Sequence, residues 1–333
     1  MNRFGVVPVH PWNPETESIE RAAEILRSGG LVAFPTETVY GLGANGLSPD
    51  AALKIYAAKG RPQDNPLILH FAACRDIEPL AHISRRARVL MKKFWPGPLT
   101  LVLPSKGVVP REVTAGLDTL AVRMPSHPVA LALIDRAGFP IAAPSANSSG
   151  RPSPTDAQAV ANDLGDRVDL ILDAGPTAVG VESTVLDLTG PEIILLRPGG
   201  CPIEEIEATT GEKILLSGGD DHRSPGTRYR HYAPSVPLLL DREEGVRPRA
   251  MAIGGRVAWM GMMGPEKIFP DGEVHESLSI VFSSAENYAR GLFHAIRTLE
   301  TRQADVIVAQ WPPSPEGLGR AVRDRLERAS SRE

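Results

Sequence analysis

The chain has 333 residues, of which 42% are hydrophobic and 23% charged, a balance that excludes a disordered, collagenous or coiled-coil protein. Its 36 basic and 40 acidic side chains give a net charge of −4, which argues against holding nucleic acid through overall charge. Two cysteines, Cys74 and Cys201, fit a reducing cytoplasmic compartment, and no segment is apolar enough for a signal core or a membrane span.

Short apolar runs alternate with helical patterns from the N-terminus onward. The start of one helix is marked by Ser48 as cap, Pro49 and Asp50, and Gly60 ends it. Other helices are predicted at 17–28, 84–95, 127–137 and from Ser153-Pro154 to about Gly165, and strands at 31–43 (its first part), 65–71, 99–104, 120–125, 140–144, 170–173, 183–188 and 192–199. The last two strands resemble an antiparallel hairpin, so this part is predicted to be α/β with a mixed sheet.

A stretch rich in Gly, Ser, Pro and charge interrupts this pattern at residues 217–236. It predicts a first domain over 1–216, a linker over 217–236, and a smaller α/β domain over 237–333. Within the smaller domain, strands are predicted at 236–240, 257–261 and 304–311, and a long helix at 284–300.

One motif resembles a dinucleotide fingerprint. Residues 41–46 read G-x-G-x-x-G, and Asp64 follows at about the spacing of a ribose-binding acid. Residues 35–38, a proline followed by three polar residues, interrupt the strand before the glycines, however, and Asp64 lies in a Pro/Asn loop. A nucleotide site of this kind is therefore disfavoured, and the sequence has no P-loop, no C-x-x-C pair and no H-E-x-x-H.

Basic residues at turns predict anion binding. Lys59 and Arg61 are held between Gly60 and Pro62 at a helix end, where they could clamp a phosphate or carboxylate; the alternative for Lys59 is a solvated cation at the helix C-terminus. Arg123 and Arg197 end strands before Pro, where charges are often only rim charges.

Small polar residues predict a second part of the site. Ser145, Asn147, Ser148, Ser149 and Ser153 lie between a strand and a helix, where backbone amides favour anions; the alternative is a polar loop with a serine cap. The basic run over 85–93 is interpreted as a solvated helix surface rather than a nucleic-acid patch.

Taken in order, these motifs resemble the YrdC-like threonylcarbamoyl-adenylate synthases. The resemblance rests on the following segments: PTETVYGLG (35–43), KGRPQDNPLILH (59–70), LAVRMPSHP (120–128), PIAAPSANSSGRPSPT (140–155) and EST…LLRPG (182–199). RYRHYAP (228–234) and EGLGRAVRDRLERA (316–329) are similar to the longer, two-domain branch of that family. The resemblance implies a twisted mixed sheet with a basic concave cavity, plus a smaller Rossmann-like α/β domain.

It also implies a cytoplasmic enzyme, a nucleotidyltransferase that converts L-threonine, bicarbonate or CO₂, and ATP into threonylcarbamoyl-AMP, pyrophosphate and water. The product would pass to a downstream transferase that makes N6-threonylcarbamoyladenosine in tRNA, with no stable nucleic-acid binding by this chain. Few carboxylates occur in the motifs, so Mg²⁺ is expected to arrive with ATP, and no protein metal site is expected.

Residue roles follow from the same resemblance. Lys59 and Arg61 would be the catalytic pair that faces the triphosphate together with Arg197. Nucleotide contacts are expected from Arg61, Asn65, Thr119, Ser145, Asn147, Ser153, Arg197 and Tyr232, and threonine contacts from Thr38, His70, Arg123, Ala143 and Ser183. The fork of Arg123 suits both oxygens of a carboxylate. At Ala143, where the family often has a hydroxyl, a backbone contact would have to serve.

Alternatives remain for function and for the linker. A YrdC-like carbamoyltransferase module is one alternative, although the chain is short for it and lacks the C-x-x-C pairs; a double-stranded-RNA-binding module is the other, and the net charge argues against it. In the linker, Tyr229, His231 and Tyr232 either pack against one domain or belong to a lid that closes over the occupied cavity.

Overall fold

The computed structural model describes residues 5–217 and 232–330. The chain divides into two compact units. The first unit comprises Met1–Ser149, Pro154–Ala178 and Glu182–Arg228, and the second unit comprises Gly150–Ser153, Val179–Val181 and Tyr229–Glu333. Most of the predicted linker, including Tyr229 and His231, lies outside the described residues, and so does the question of a lid.

An eleven-stranded mixed sheet forms the centre of the first unit, in the order β1-β8-β2-β3-β7-β4-β6-β5-β9-β10-β11. Its strands are β1 Gly5–Pro8, β2 Val32–Phe34, β3 Gly41–Asn45, β4 Ile68–His70, β5 Leu99–Pro104, β6 Thr119–Arg123, β7 Ile141–Ala142, β8 Leu170–Asp173, β9 Thr184–Asp187, β10 Ile193–Arg197 and β11 Ile214–Leu216. Its helices are α1 Thr16–Arg27, α2 Pro49–Lys59, α3 Arg85–Phe94, α4 Arg111–Thr114, α5 Pro128–Ala137, α6 Ala157–Leu164 and α7 Ile203–Thr210. The predicted α/β class, mixed sheet and β9–β10 hairpin are confirmed.

Local sequence explains where the helices begin and end. In α2, the Ser48 hydroxyl accepts the Ala51 amide and Gly60 closes the helix at a φ of 61°, as predicted. For α6 the predicted start at Ser153-Pro154 is wrong: the helix begins four residues after Ser153, because Asp156 supplies the capping carboxylate to the Ala159 amide. The charged side chains of α3 are mostly exposed, which agrees with a solvated helix surface.

The glycine-rich motif at residues 41–46 is a strand and not a phosphate-binding turn. Strand β3 runs antiparallel to β2 and β7 through this motif. A Cβ on Gly43 would lie 2.8 Å from the Phe34 ring and 2.9 Å from Ile141. The glycine therefore permits close packing, which agrees with the prediction that no dinucleotide binds there.

The two faces of the sheet are covered differently. One face packs on α2, α3, α4, α6 and α7 in the main apolar core. On the other face, α1 and α5 bury strands β1, β8, β2, β3 and β7. Beyond β7 the same face carries a small apolar cluster, Ile68, Val102, Ala121, Val185 and Leu196. Side chains alternate along a strand, so His70, Thr100, Arg123 and Ser183 share this face.

The second unit contains a four-stranded sheet in the order β12-β15-β13-β14, and every pair is parallel. Its elements are β12 Leu238–Leu240, α8 Val246–Ile253, β13 Val257–Gly261, β14 Val274–Val281, α9 Ala285–Thr301, β15 Val306–Ala309 and α10 Leu318–Ser330. The predicted smaller α/β domain is confirmed. Within residues 5–217 and 232–330, no helix combines the length and apolar character that crossing a membrane requires.

Candidate active site

Lys59, the last residue of α2, is buried, with 3% of its surface exposed. Its Nζ donates to the main-chain oxygens of Ser145 and Asn147, each at 2.5 Å. Burial, and then the nearby Arg61 guanidinium, hold the pKa of this amine well below its usual value. The alternative of a solvated cation is therefore wrong, and Lys59 fixes the loop that follows β7.

Arg61 and Asn65 lie next to Lys59. The Arg61 guanidinium is buried and donates to the main-chain oxygens of Asn65, at 3.3 and 3.4 Å, and of Pro66, at 3.1 Å. The Asn65 side chain is 3% exposed, and neither its Oδ1 nor its Nδ2 has a hydrogen-bond partner among the described residues. A buried amide without partners is costly, so its retention indicates a ligand that supplies them.

Ser145, Asn147 and Thr119 complete this first group. The Ser145 hydroxyl donates to the Asn147 Oδ1 at 2.5 Å, and the Asn147 Nδ2 donates to the Ser148 oxygen at 2.8 Å. Strands β4 and β6 pair in parallel, Ile68 with Ala121, so Thr119 at the start of β6 lies at the end of the sheet where the chain enters β4. The structure thus brings together six of the predicted residues at the start of β4 and the end of β7.

A second group surrounds Arg123, at the end of β6. This side chain is 4% exposed, so it is not a rim charge. Its Nη2 donates to Glu37 Oε1 at 2.7 Å and to Thr38 Oγ1 at 3.0 Å, and its Nε donates to the Gly97 oxygen at 3.3 Å. Among the described residues, Nη1 has no acceptor, so a bound anion would meet one nitrogen rather than the whole fork.

His70 ends β4 and lies in register with Arg123. Burial, and then the Arg123 charge, lower the pKa of its imidazole to about 3, so the ring is neutral at physiological pH. Its Nδ1 lies 3.2 Å from the Ile68 oxygen. A carbonyl only accepts, so with the proton on Nδ1 the ring donates to this oxygen and Nε2 is an acceptor; the Ile141 main chain also faces the ring.

Ser183 and Arg197 extend the second group across β5, β9 and β10. The Ser183 hydroxyl lies 2.7 Å from the Thr100 hydroxyl. The Arg197 guanidinium is buried and donates to the Ser183 oxygen at 3.0 Å and to its hydroxyl at 3.2 Å. The described contacts of Arg197 therefore connect it to Ser183, a residue predicted to contact the threonine substrate and not the nucleotide.

Ala143 lies between the two groups, and its amide donates to the Ile68 oxygen at 2.9 Å. This amide is engaged by the sheet, so the backbone contact expected of Ala143 would have to come from its carbonyl. Strand β4 spans the two groups, with Asn65 before it and His70 at its end. Asn65 and His70 therefore lie toward opposite ends of this strand.

Two of the residues predicted to contact the nucleotide, Ser153 and Tyr232, belong to the second unit. Ser153 is buried there, in the segment Gly150–Ser153. The Tyr232 ring stacks on Phe293 with centroids 5.3 Å apart, and the Arg325 guanidinium lies 5.1 Å from it. Tyr232 therefore packs within the second unit, as one of the two alternatives for the linker predicted. Its contact with a nucleotide stays a prediction.

Metal-binding and thiol groups are sparse. Within the described ranges, no cluster of three or more His, Cys, Asp or Glu side chains could hold a metal ion. Cys201 is buried, and burial raises the pKa of its thiol to about 12. This thiol therefore cannot serve as a thiolate nucleophile near neutral pH.

Glu37 is the main residue of the second group to which the sequence assigned no role. It lies in the loop between β2 and β3 and is 8% exposed. One signal was available: an acid flanked by threonines beside a fully apolar strand needs a cation if it is buried. The partner, 86 residues away, could not be identified without the structure.

Comparison with known proteins agrees with this architecture. Residues 24–199 match the Sua5/YciO/YrdC family model, described as telomere recombination, and residues 201–331 match the C-terminal domain of threonylcarbamoyl-AMP synthase. A threonylcarbamoyl-AMP synthase of Pyrococcus abyssi is 48% identical, with 95% of each chain covered. One of Bacillus subtilis is 46% identical, covering 94% of this chain and 92% of the relative.

A solved structure is equally similar. The crystal structure of P. abyssi Sua5 complexed with L-threonine superposes with a TM-score of 0.88 at 45% identity, covering 98% of this chain and 97% of that one. The likeness extends over both compact units, as do the two family models. This chain therefore belongs to the Sua5/YciO/YrdC family, among the threonylcarbamoyl-AMP synthases that carry the additional C-terminal domain.

Proposed function

We propose that this protein makes threonylcarbamoyl-AMP from L-threonine, bicarbonate or CO₂, and ATP, with release of pyrophosphate and water. The observation that carries the proposal is the pair of buried cationic groups at the two ends of β4. One contains Lys59, Arg61 and the Asn65 amide, which has no hydrogen-bond partner in the described part of the chain, and the other contains Arg123. Their separation suits a substrate pair with a polyphosphate at one end and a carboxylate at the other.

The first group would bind the nucleotide. Lys59 and Arg61 would stabilise charge on the triphosphate, while Asn65, Thr119, Ser145 and Asn147 supply hydrogen bonds. Ser153, Arg197 and Tyr232 remain proposed nucleotide contacts. Mg²⁺ would enter as part of the MgATP substrate.

The second group would bind threonine. Nη1 of Arg123 would take one carboxylate oxygen, with the hydroxyls of Thr38 and Ser183 nearby. The neutral His70 imidazole offers an acceptor to the substrate hydroxyl or amine, and Ala143 contributes main chain. The threonine amine becomes a carbamate, and a carbamate oxygen attacks the α-phosphorus as pyrophosphate leaves. Positioning and charge stabilisation suffice for these steps, and no protein nucleophile is needed.

The test is substrate dependence. Pyrophosphate release from MgATP is measured with threonine and bicarbonate together, with each alone and with neither, and the adenylate is identified by mass. We expect release only with both present. Equal release without threonine would contradict the proposal. Transfer of the product to tRNA by a downstream transferase, and a cytoplasmic location, are further parts of this proposal.

A further inference from the structure

We propose that Glu37 is a positioning residue for threonine, acting through Arg123. This inference rests on the proposed function, in which Arg123 binds the threonine carboxylate. It concerns which protein group aims that arginine.

Both carboxylate oxygens of Glu37 are engaged on one short stretch of chain. Oε1 accepts the Arg123 Nη2 at 2.7 Å, and Oε2 accepts the Ser126 main-chain amide at 3.1 Å. The ion pair is buried, with side-chain exposures of 10% for Glu37 and 5% for Arg123. A buried carboxylate is strongly stabilised by its cation, so the position of Glu37 determines that of the guanidinium.

The number of N–H groups that Arg123 has already committed shows which of its atoms can meet a ligand. A guanidinium has five N–H groups, one on Nε and two on each terminal nitrogen. Gly97 takes the Nε hydrogen, and Glu37 with Thr38 take both Nη2 hydrogens. Within residues 5–217 and 232–330, only Nη1 remains to meet a ligand. Glu37 therefore selects which edge of the guanidinium faces the substrate.

Glu37 also reduces the positive charge that the substrate meets. Threonine is a zwitterion whose amine must react, and an uncompensated arginine would repel its ammonium group as well as attract its carboxylate. A carboxylate on the far edge of the guanidinium lowers that repulsion while Nη1 keeps its hydrogens. The arrangement suits a single carboxylate better than a polyphosphate.

The experiment compares five variants in steady-state kinetics, with KM measured separately for threonine and ATP. Glu37→Gln keeps an acceptor for Arg123 but removes the charge, and Glu37→Ala removes both. Glu212→Gln is the matched control, because it breaks the Arg86 ion pair, at 2.9 Å, which is not part of the site. Arg123→Gln serves as the background for the double variant Glu37→Gln/Arg123→Gln, which contains no buried charge at this pair.

We expect Glu37→Ala to raise the KM for threonine by about 10- to 100-fold, since a misplacement of about 1 Å can cost that much, with the KM for ATP nearly unchanged. Glu37→Gln should lie between Glu37→Ala and wild type, and Glu212→Gln should match wild type. In the Arg123→Gln background, Glu37→Gln should add no further loss. Full additivity in that cycle, or a lowered melting temperature with an unchanged KM for threonine, would show that Glu37 is only a structural tie.

The same data separate this inference from the proposed function. If Arg123→Gln leaves the KM for threonine unchanged, both the threonine site and this inference fall. If Arg123→Gln raises it and neither Glu37 variant does, only the role of Glu37 is overturned.

Discussion

Replacing Lys59 by Met tests whether this residue stabilises the fold as well as the reaction. From the sequence alone, Lys59 and Arg61 are expected to be an exposed pair that contributes little to stability. The structure contradicts that premise, because the Lys59 amine is buried against two main-chain oxygens. Lys59→Met should therefore lower both stability and turnover.

The magnitude follows from the two acceptors. Each buried carbonyl that loses its donor costs about 1–3 kcal/mol of stability. Part of this loss is offset, because the substitution also removes an amine whose desolvation is unfavourable. The net loss should be about 2–4 kcal/mol in the free energy of unfolding. Lys54→Met is the matched control: it lies on the same helix and its Nζ also donates to a carbonyl, that of Gly29, but it is exposed. Its cost should be within about 0.5 kcal/mol.

Urea unfolding, followed by tryptophan fluorescence, measures the difference, and pyrophosphate release measures activity. A pH series adds a second readout. The folded pKa of Lys59 lies below its usual 10.5, so between those two values the unfolded chain binds more protons and wild-type stability rises with pH. Lys59→Met should lose that rise and Lys54→Met should keep it. A wild-type unfolding midpoint for Lys59→Met would refute the reasoning.

Three further predictions concern the same site. Asn65→Leu should leave stability unchanged or raise it by about 1 kcal/mol, because an unpartnered buried amide is removed, yet it should raise the KM for ATP; a clear loss of stability would show that the amide has partners in the free protein. His70→Gln should flatten the pH dependence of stability between about pH 3 and 6.5. In that range the histidine is protonated in the unfolded chain and neutral in the folded one, so the wild-type protein loses up to about 1.4 kcal/mol of stability per pH unit as the pH falls. Parallel curves for the wild type and the variant in acid unfolding would contradict this prediction. Arg61→Lys should retain little turnover, because a lysine cannot reach the Asn65 and Pro66 oxygens with a planar fork; near-normal kcat in the pyrophosphate assay would count against this role.

Local signals in the sequence predicted most elements of both units. The Ser48-Pro49 start and the Gly60 stop of α2 depend on residues adjacent in the chain, so the sequence placed that helix and put Lys59 at its end. The start of α6 was misplaced because Ser153-Pro154 and Asp156 are competing caps only three residues apart. Strand β14 was not predicted, because an edge strand that is largely exposed lacks a clear apolar pattern.

The grouping of the site residues required the structure. Thr119 and Asn65 lie at the same end of the sheet because β4 and β6 pair in parallel, and that register is not written in either segment. Asn65 precedes β4 and His70 ends it, so the strand itself separates these two residues. The burial of Lys59 was also not predicted, because a lysine at a helix end is usually solvated. Only the contacts of its amine with the Ser145 and Asn147 carbonyls show that it is buried.

The two cationic groups differ in what holds them, and this difference suits two different anions. Lys59 is oriented by main-chain carbonyls, which fix its direction through dipoles but bring no formal charge. Arg123 is oriented by the Glu37 carboxylate, which fixes its direction and cancels much of its charge. In the proposed function, a polyphosphate gains from a cation whose hydrogen-bond partners are dipoles, because those carbonyls carry no formal charge. A zwitterionic amino acid gains from a compensated cation, because its ammonium group is not repelled. In the proposed function, the partner of each cation, and not only the cation itself, thus favours one end of the substrate pair at each group.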